Sequence, residues 1–192
     1  TLDPSLRLEK QIAEFTLQLQ QYNPLIGTAE LPVIGLVPFS NTLSVPRSLD
    51  IAPIVDGTWL HMGEAKQRRI LHTSLIASSI ESELHKFMPG ELIISPAQRT
   101  DTLLAASLAS SNGTPLAGLV LTEQAIPEAH ILAFCQAATQ QGLPILHTPL
   151  QTLEAVKRLY LFSNEIPIDD TERAEQVTRF VSSHIDNLWL EQ

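Results

Sequence analysis

The side chains best placed for chemistry belong to the segment Ser95-Pro-Ala-Gln-Arg-Thr-Asp101. It follows the apolar stretch ELII, typical of a buried strand, and precedes an alanine-rich stretch typical of a helix. Loops between a strand and the next helix bind anions in α/β proteins, because free N–H groups at the helix start point at the ligand. Arg99 would add guanidinium donors and Asp101 would cap the helix. Ser95, Arg99 and Asp101 are therefore predicted ligand-binding residues.

The same segment also has a simpler interpretation. Thr100 or Asp101 would cap the helix, and Arg99 would be a solvated or interface side chain. The loop contains no glycine, so its backbone cannot wrap closely around a phosphate, and this excludes a P-loop. The motifs GxSxG, GxGxxG and GxxxxGK[ST] are also missing from the sequence. Two interpretations of this segment therefore stay open: it binds a ligand, or it only connects the strand to the helix.

A second corner, Leu121-Thr-Glu-Gln124, follows the apolar stretch PLAGLVL. Ligands in open parallel sheets bind beyond the carboxyl ends of the strands, and neighbouring loops could face each other there. Thr122 and Glu123 are therefore second candidates for ligand binding. A plain polar turn is the favoured alternative.

The sequence contains no recognisable motif of a catalytic or metal-binding site among its histidines, its cysteine and its carboxylates. The six histidines include no HExxH or similar close pair. His147 follows a predicted strand and stands out among them, although a structural role is favoured. Cys135 lies among apolar residues at helical spacing, which indicates a core position. We therefore predict no catalytic residue, metal or cofactor, and favour a binding or interaction module over an enzyme.

The elements that would position these residues alternate between strand and helix. Strands are predicted at 58–62, 69–75, 91–94, 115–121 and 143–147. Helices are predicted at 76–87, 101–111, 126–141 and 151–162, with a last helix from an Asp169 cap and Glu172 capping box to about Leu190. This alternation predicts a three-layer α/β domain with a mostly parallel sheet of four or five strands. A helix beginning at Asp3-Pro4 and the segment from Leu31 to Pro46 would form an N-terminal arm.

Composition excludes several classes of protein. The chain has 192 residues, of which 44% are hydrophobic and 17% charged, so it can bury a core. Its formal net charge of −9 argues against nucleic acid as a partner. A single cysteine excludes an internal disulfide framework. Because no apolar run approaches the roughly 18 residues of a membrane span, and no signal peptide is seen, we expect a cytoplasmic protein without a membrane partner.

Four segments in the same order resemble one family, the long-form bacterial phosphate acetyltransferases. LPVIGLVPF, followed by a proline and SLDIA, resembles the region after that family's dethiobiotin-synthetase-like domain. ELIISPAQRTDTLLAASLASSNG followed by PLAGLVLT is similar to its DRTGG domain. GLPIL, and then IPIDDTERAEQV with the final NLWLEQ, match its closing pattern. The resemblance implies an arm at residues 1–52 and a DRTGG-like domain at 53–192, with a fold similar to the N-terminal domain of HPr kinase/phosphorylase.

The resemblance also implies a function. Such a domain would be a non-catalytic regulatory or assembly domain of an enzyme that interconverts acetyl-CoA plus phosphate with acetyl phosphate plus CoA. Its partners would be neighbouring domains of that enzyme, further copies in a homo-oligomer, and a small anionic effector. Two alternatives stay open: a stand-alone nucleotide- or metabolite-sensing module of the kind paired with CBS domains, and a pure dimerisation domain.

Two departures from the family pattern concern the candidate site. Gln98 replaces the acid that precedes the arginine, while Arg99 and Asp101 remain. Glu123-Gln124 stands where the family has a glycine pair. Losing glycine disfavours close approach of the backbone at that corner.

Overall fold

A computed structural model describes residues 4–40, 43–162 and 165–185. Five strands form one sheet: β1 (Thr58–His61), β2 (His72–Leu75), β3 (Glu91–Pro96), β4 (Gly118–Thr122) and β5 (Ile145–His147). The strand order is β1-β5-β4-β3-β2. The pairs β2–β3, β3–β4 and β4–β5 are parallel, whereas the edge strand β1 pairs antiparallel with β5. The predicted α/β class with a mostly parallel sheet is confirmed.

Seven α-helices lie within the described part of the chain. They are α1 (Pro4–Gln20), α2 (Ile80–Glu83), α3 (Thr100–Ser111), α4 (Ala129–Phe134), α5 (Gln136–Gln140), α6 (Thr152–Tyr160) and α7 (Thr171–Ser182). None of them is long and apolar enough to cross a membrane.

Apolar residues cover both faces of the sheet, because successive strand residues point to opposite sides. On one face, Ile93 and Leu119 belong to a buried cluster with Leu103 of α3 and Ala138 of α5. On the other face, Leu92, Ile94 and Val120 belong to a second cluster with Ala155 of α6, Ile51 and Val55. The central strands β3 and β4 are therefore covered on both sides, as their uninterrupted apolar sequences predict.

The described residues fall into two compact units, one of residues 44–167 and another containing α1 and α7. The first unit holds the whole sheet. In the second, the backbone of Gly35 forms an antiparallel bridge with Ile185, and the guanidinium Nε of Arg173 donates to the Leu43 carbonyl at 2.8 Å. The units divide the chain differently from the boundary at residue 52, and that boundary stays a prediction.

Several predicted elements differ in detail from the structure. The helix expected from residue 76 begins only at Ile80, after a bend. The helix expected at 126–141 is two short helices, which meet at Cys135. Asp170 caps α7, accepting a hydrogen bond from the Arg173 backbone N–H at 3.3 Å, so the cap predicted at Asp169 was wrong. That helix ends at Ser182, and residues 186–192 lie outside the described part.

Candidate ligand-binding cleft

An open cleft of about 610 Å³ lies at the edge of the sheet where three parallel strands end. Gln98 follows β3, Glu123 and Gln124 follow β4, and Pro149, Gln151, Thr152 and Leu153 follow β5. This volume falls within the range of about 300–1,000 Å³ that small-molecule sites occupy. The position is also the one at which open parallel sheets bind ligands.

Backbone hydrogen bonds continue past the strand ends and tie the three loops together. The Ala97 N–H, after β3, donates to the Thr122 carbonyl at 2.9 Å. The Glu123 N–H, after β4, donates to the Leu150 carbonyl at 2.8 Å. Thr148 donates its N–H to the Leu121 carbonyl at 2.9 Å. The loops that line the cleft are therefore held in register by the same pairing that builds the sheet.

A short chain of side chains links Glu123 to the start of α6. The hydroxyls of Thr122, which is fully buried, and Thr152, the first residue of α6, share a hydrogen bond of 2.7 Å. Thr152 Oγ1 lies 3.5 Å from Glu123 Oε1. The carboxylate of Glu123 therefore lies beside the amino end of a helix, where negative charge is stabilised. The preceding residue, Gln151, makes no side-chain cap hydrogen bond.

Glu123 itself has a left-handed backbone conformation, with φ of 75°. Glycine adopts this region without strain, whereas a residue with a Cβ does not. Glu123, which stands where the sequence resemblance implied a glycine, therefore has a backbone conformation that favours glycine. His147 contributes to its support, because the ring Nε2 lies 2.9 Å from the Glu123 carbonyl oxygen.

Arg99 and Asp101 pair with each other beside the cleft. The guanidinium Nε and Nη2 of Arg99 donate to the two carboxylate oxygens of Asp101 at 2.9 and 2.8 Å. Nη2 also donates to the Ser78 carbonyl at 2.9 Å, which ties this loop to the one after β2. The hydrogen bonds that Asp101 accepts from Arg99 hold the pKa of this carboxyl below its usual value, with burial opposing them. Neither residue lines the cleft.

The five residues predicted from sequence thus occupy three different environments. Glu123 lines the cleft. Thr122 is buried behind the lining, and its hydroxyl shares a hydrogen bond with Thr152, which lines the cleft. Arg99 and Asp101 form the neighbouring ion pair. Ser95 is fully buried on β3, and its hydroxyl makes a long contact of 3.5 Å to the Pro96 carbonyl. Ligand binding by these residues stays a prediction.

Sequence reasoning missed most of the cleft's lining. The sequence marks Gln98 only as a departure from the family pattern, and no motif singles out Gln151 or Thr152 for ligand binding. Their one visible signal was position, since each lies just beyond a strand or at a helix start. Glu123 is the charged residue among those that line the cleft. In the described part of the chain, no group of histidine, cysteine and carboxylate side chains could hold a metal ion.

Comparison with known proteins identifies relatives over nearly the whole chain. Residues 50–162 match the DRTGG domain family. The chain is 70% identical over 190 residues to a phosphate acetyltransferase of Acinetobacter baylyi, covering 99% of this chain and 26% of that protein. It is 36% identical to the phosphate acetyltransferase of Pseudomonas putida, covering 97% of this chain and 27% of the relative. The chain thus spans about a quarter of the length of these relatives.

A solved structure with the same type of domain is also similar. It contains the CBS and DRTGG domains of the regulatory region of Clostridium perfringens pyrophosphatase, complexed with its activator diadenosine tetraphosphate. The TM-score is 0.47 and the identity 12%, over 86% of this chain and 70% of that one. The resemblance to the DRTGG domain of the phosphate acetyltransferases, noted from four sequence segments, is confirmed by the family match and the curated relatives. The chain belongs to the DRTGG domain family.

Proposed function

We propose that this chain is a non-catalytic regulatory domain of a phosphate acetyltransferase, and that the cleft receives a small effector. The interconversion of acetyl-CoA and phosphate with acetyl phosphate and CoA then takes place in another domain of the parent enzyme. The relatives named phosphate acetyltransferase, of which this chain spans about a quarter, support that parent. The observation that carries the regulatory role is the cleft itself, which has the size and position of a ligand site.

The chemistry of the cleft supports binding rather than catalysis. Catalysis needs a nucleophile or an acid–base pair held by neighbouring groups. The hydroxyl of Thr152 already shares a hydrogen bond with Thr122. His147 is occupied by the Glu123 carbonyl, and the thiol of Cys135 is fully buried in the core, where burial raises its pKa. Among the described residues, Glu123 is therefore left without a partner suited to proton transfer in the cleft.

A kinetic experiment on the parent enzyme tests the regulatory role. Leu153 lines the cleft and is 64% exposed, so Leu153→Trp would fill the cleft without disturbing the core. Leu161→Trp, at an even more exposed position outside the cleft, is the matched control. Acetyl phosphate formation would be measured against a panel of nucleotides, nucleosides and small carboxylates. We expect at least one compound to change the rate of the wild type and of Leu161→Trp, and to lose its effect in Leu153→Trp.

Two results contradict this proposal. One is a parent enzyme whose rate responds to no compound of the panel, or responds equally in Leu153→Trp. The other concerns the isolated chain, mixed with acetyl-CoA and phosphate. Release of CoA above the buffer rate would show that the domain is catalytic.

An assembly role is a second candidate, supported by the outer surface of α3. Leu104 and Leu108 lie one helical turn apart and are 37% and 63% exposed. Exposed leucines on one helix face are typical of contacts with a further copy or a neighbouring domain. Sedimentation of the wild type and of Leu104→Gln/Leu108→Gln tests this role. A dimer that the double substitution converts to monomer supports assembly, and a monomeric wild type contradicts it.

A further inference from the structure

We propose that the cleft selects an uncharged nucleoside, with the ribose hydroxyls on the Glu123 carboxylate and the base between glutamine carboxamides. This inference rests on the proposed function, since it names the effector class of the same cleft. It replaces the anionic effector implied by the sequence with a neutral one, and the reason is the charge and hydrogen-bonding capacity of the lining residues.

The first step of the argument is the charge of the cleft. Among the described residues, its lining consists of carboxamides, a hydroxyl, two apolar side chains and one carboxylate, with no lysine, arginine or histidine. Arg99, the cation expected to bind an anion, donates to Asp101 and to the Ser78 carbonyl and is not part of the lining. The chain as a whole carries a formal charge of −9. An anionic ligand would therefore enter a negative environment without a countercharge.

The second step concerns the amino end of α6, the feature of the cleft most suited to an anion. Its first residue, Thr152, has its hydroxyl 3.5 Å from Glu123 Oε1. The carboxylate therefore already supplies the negative charge that a helix start favours. A phosphate placed there would be repelled by Glu123 at close range, and like charges within a few ångströms are strongly unfavourable.

The third step is the match between the lining and a nucleoside. A carboxylate at the carboxyl end of a parallel strand accepts hydrogen bonds from ribose hydroxyls in nucleotide-binding α/β folds. Glutamine carboxamides offer a donor and an acceptor side by side, which pairs with the edge of adenine. The carboxamides of Gln98 and Gln151 make no hydrogen bond with other described residues, so they are free for such pairing. Pro149 and Leu153 supply apolar surface for a flat ring.

Titration of the full chain by amide NMR tests the ligand class, with adenosine, adenosine 5′-monophosphate and inorganic phosphate as probes. We expect saturable shifts at Gln98, Glu123 and Gln151 with adenosine, no tighter binding of the monophosphate, and no shift with phosphate. Glu123→Gln should weaken the binding of adenosine about tenfold, because hydrogen bonds to charged groups are stronger than those to neutral groups. The same substitution should strengthen the binding of the monophosphate, because it removes a negative charge from the cleft. Glu81→Gln, at an exposed position outside the cleft, is the matched control and should change neither affinity.

A second variant covers the case in which Glu123→Gln disturbs its corner. Gln98 is exposed on a loop, so Gln98→Ala should leave the fold intact and still weaken adenosine. The ligand class is overturned if phosphate or the monophosphate binds while adenosine does not, if none of the probes binds, or if Glu123→Gln and Gln98→Ala leave adenosine affinity unchanged. An anion that alters the rate of the parent enzyme in a Leu153→Trp-sensitive way would refute the nucleoside and keep the regulatory role. Adenosine binding in the cleft without any effect on the parent enzyme would support the nucleoside as ligand and refute the regulatory role.

Discussion

The imidazole Nε2 of His147 lies 2.9 Å from the backbone carbonyl oxygen of Glu123. A carbonyl oxygen only accepts hydrogen bonds, so this ring nitrogen carries the hydrogen and donates it. His147 ends β5 and Glu123 directly follows β4, so the bond joins two neighbouring strand ends at the cleft. It helps to hold the residue whose carboxylate faces the proposed ligand.

Replacing Glu123 by glycine should stabilise the fold, because Glu123 has φ of 75°. A left-handed backbone costs a residue with a Cβ about 1–2 kcal/mol. Glycine loses about 0.5–1 kcal/mol more conformational freedom on folding, so the expected gain in the free energy of unfolding lies between zero and about 1.5 kcal/mol. Urea denaturation of wild type and Glu123→Gly measures the difference.

Gln124→Gly is the control for that substitution, since Gln124 is not among the described residues with positive φ. Here glycine brings no relief of strain and should destabilise the fold. Equal effects of the two substitutions would contradict the strain at Glu123. Glu123→Gly should also lose the nucleoside binding proposed above, because it removes the carboxylate. Stability and binding would then change in opposite directions at one residue.

His147→Ala should destabilise the protein by about 0.5–1.5 kcal/mol, the net contribution of a typical hydrogen bond, because the Glu123 carbonyl that the imidazole contacts is partly buried. His147 is only 8% exposed, so water cannot easily replace the imidazole. His130→Ala, at a side chain that is 64% exposed, should change the free energy of unfolding little. Thermal unfolding of the two variants compares them, and a similar loss in both would show that the bond to Glu123 contributes nothing specific.

The parts of the fold that the sequence predicts well are those fixed by local pattern. The stretch around Ile93 and Ile94 is apolar throughout and forms a central strand, and α3 begins within one residue of the predicted start at Asp101. Capping was predicted less well, because Asp169 and Asp170 are adjacent and both can cap a helix. Only the folded chain shows that Asp170 accepts the Arg173 N–H. The break at Cys135 likewise has no local signal such as proline or glycine.

The cleft was predictable only in part, since it depends on contacts between distant segments. The position of Glu123 after a parallel strand was visible in the sequence, and it does line the cleft. The sequence gives no sign that Arg99 donates to the Ser78 carbonyl, 21 residues away. Each loop alone is equally compatible with a guanidinium that has no such partner. Gln151 joins Gln98 in the cleft only because β5 and β3 end at the same edge of the sheet.

Asp101→Asn should lower stability near neutral pH and lose its effect in acid. The Arg99 guanidinium holds the pKa of Asp101 below its usual value of 3.8 in the folded state. The folded protein therefore binds this proton more weakly than the unfolded chain. The pair thus contributes stability above about pH 4, and this contribution disappears as the pH falls further through the folded-state pKa. Urea midpoints of wild type and Asp101→Asn between neutral pH and acid measure it.

Arg99→Gln provides the matched test of the same pair. It removes the donor of both the Asp101 and the Ser78 hydrogen bonds, so it should destabilise more than Asp101→Asn. In the double variant, the decrease in the free energy of unfolding should be smaller than the sum of the decreases in the two single variants, because the two residues share one interaction. Additive losses, or a wild-type advantage over Asp101→Asn that persists unchanged in acid, would contradict the pairing.

The thiol of Cys135 should resist alkylation in the folded protein. Cys135 is fully buried where α4 and α5 meet, and burial raises its pKa above the usual 9.0, with a smaller opposing effect of Ser107. Since the thiolate is the reactive form and iodoacetamide must reach it, modification requires the surrounding core to open. At pH about 8, native protein should therefore react at least about 100-fold more slowly than protein in urea. Destabilising substitutions such as His147→Ala should raise the alkylation rate of the native protein in proportion to the population of opened molecules. Mass spectrometry of the alkylated chain measures this rate. A native rate close to that of the unfolded chain would place Cys135 at the surface and contradict the packing of α3 against α5.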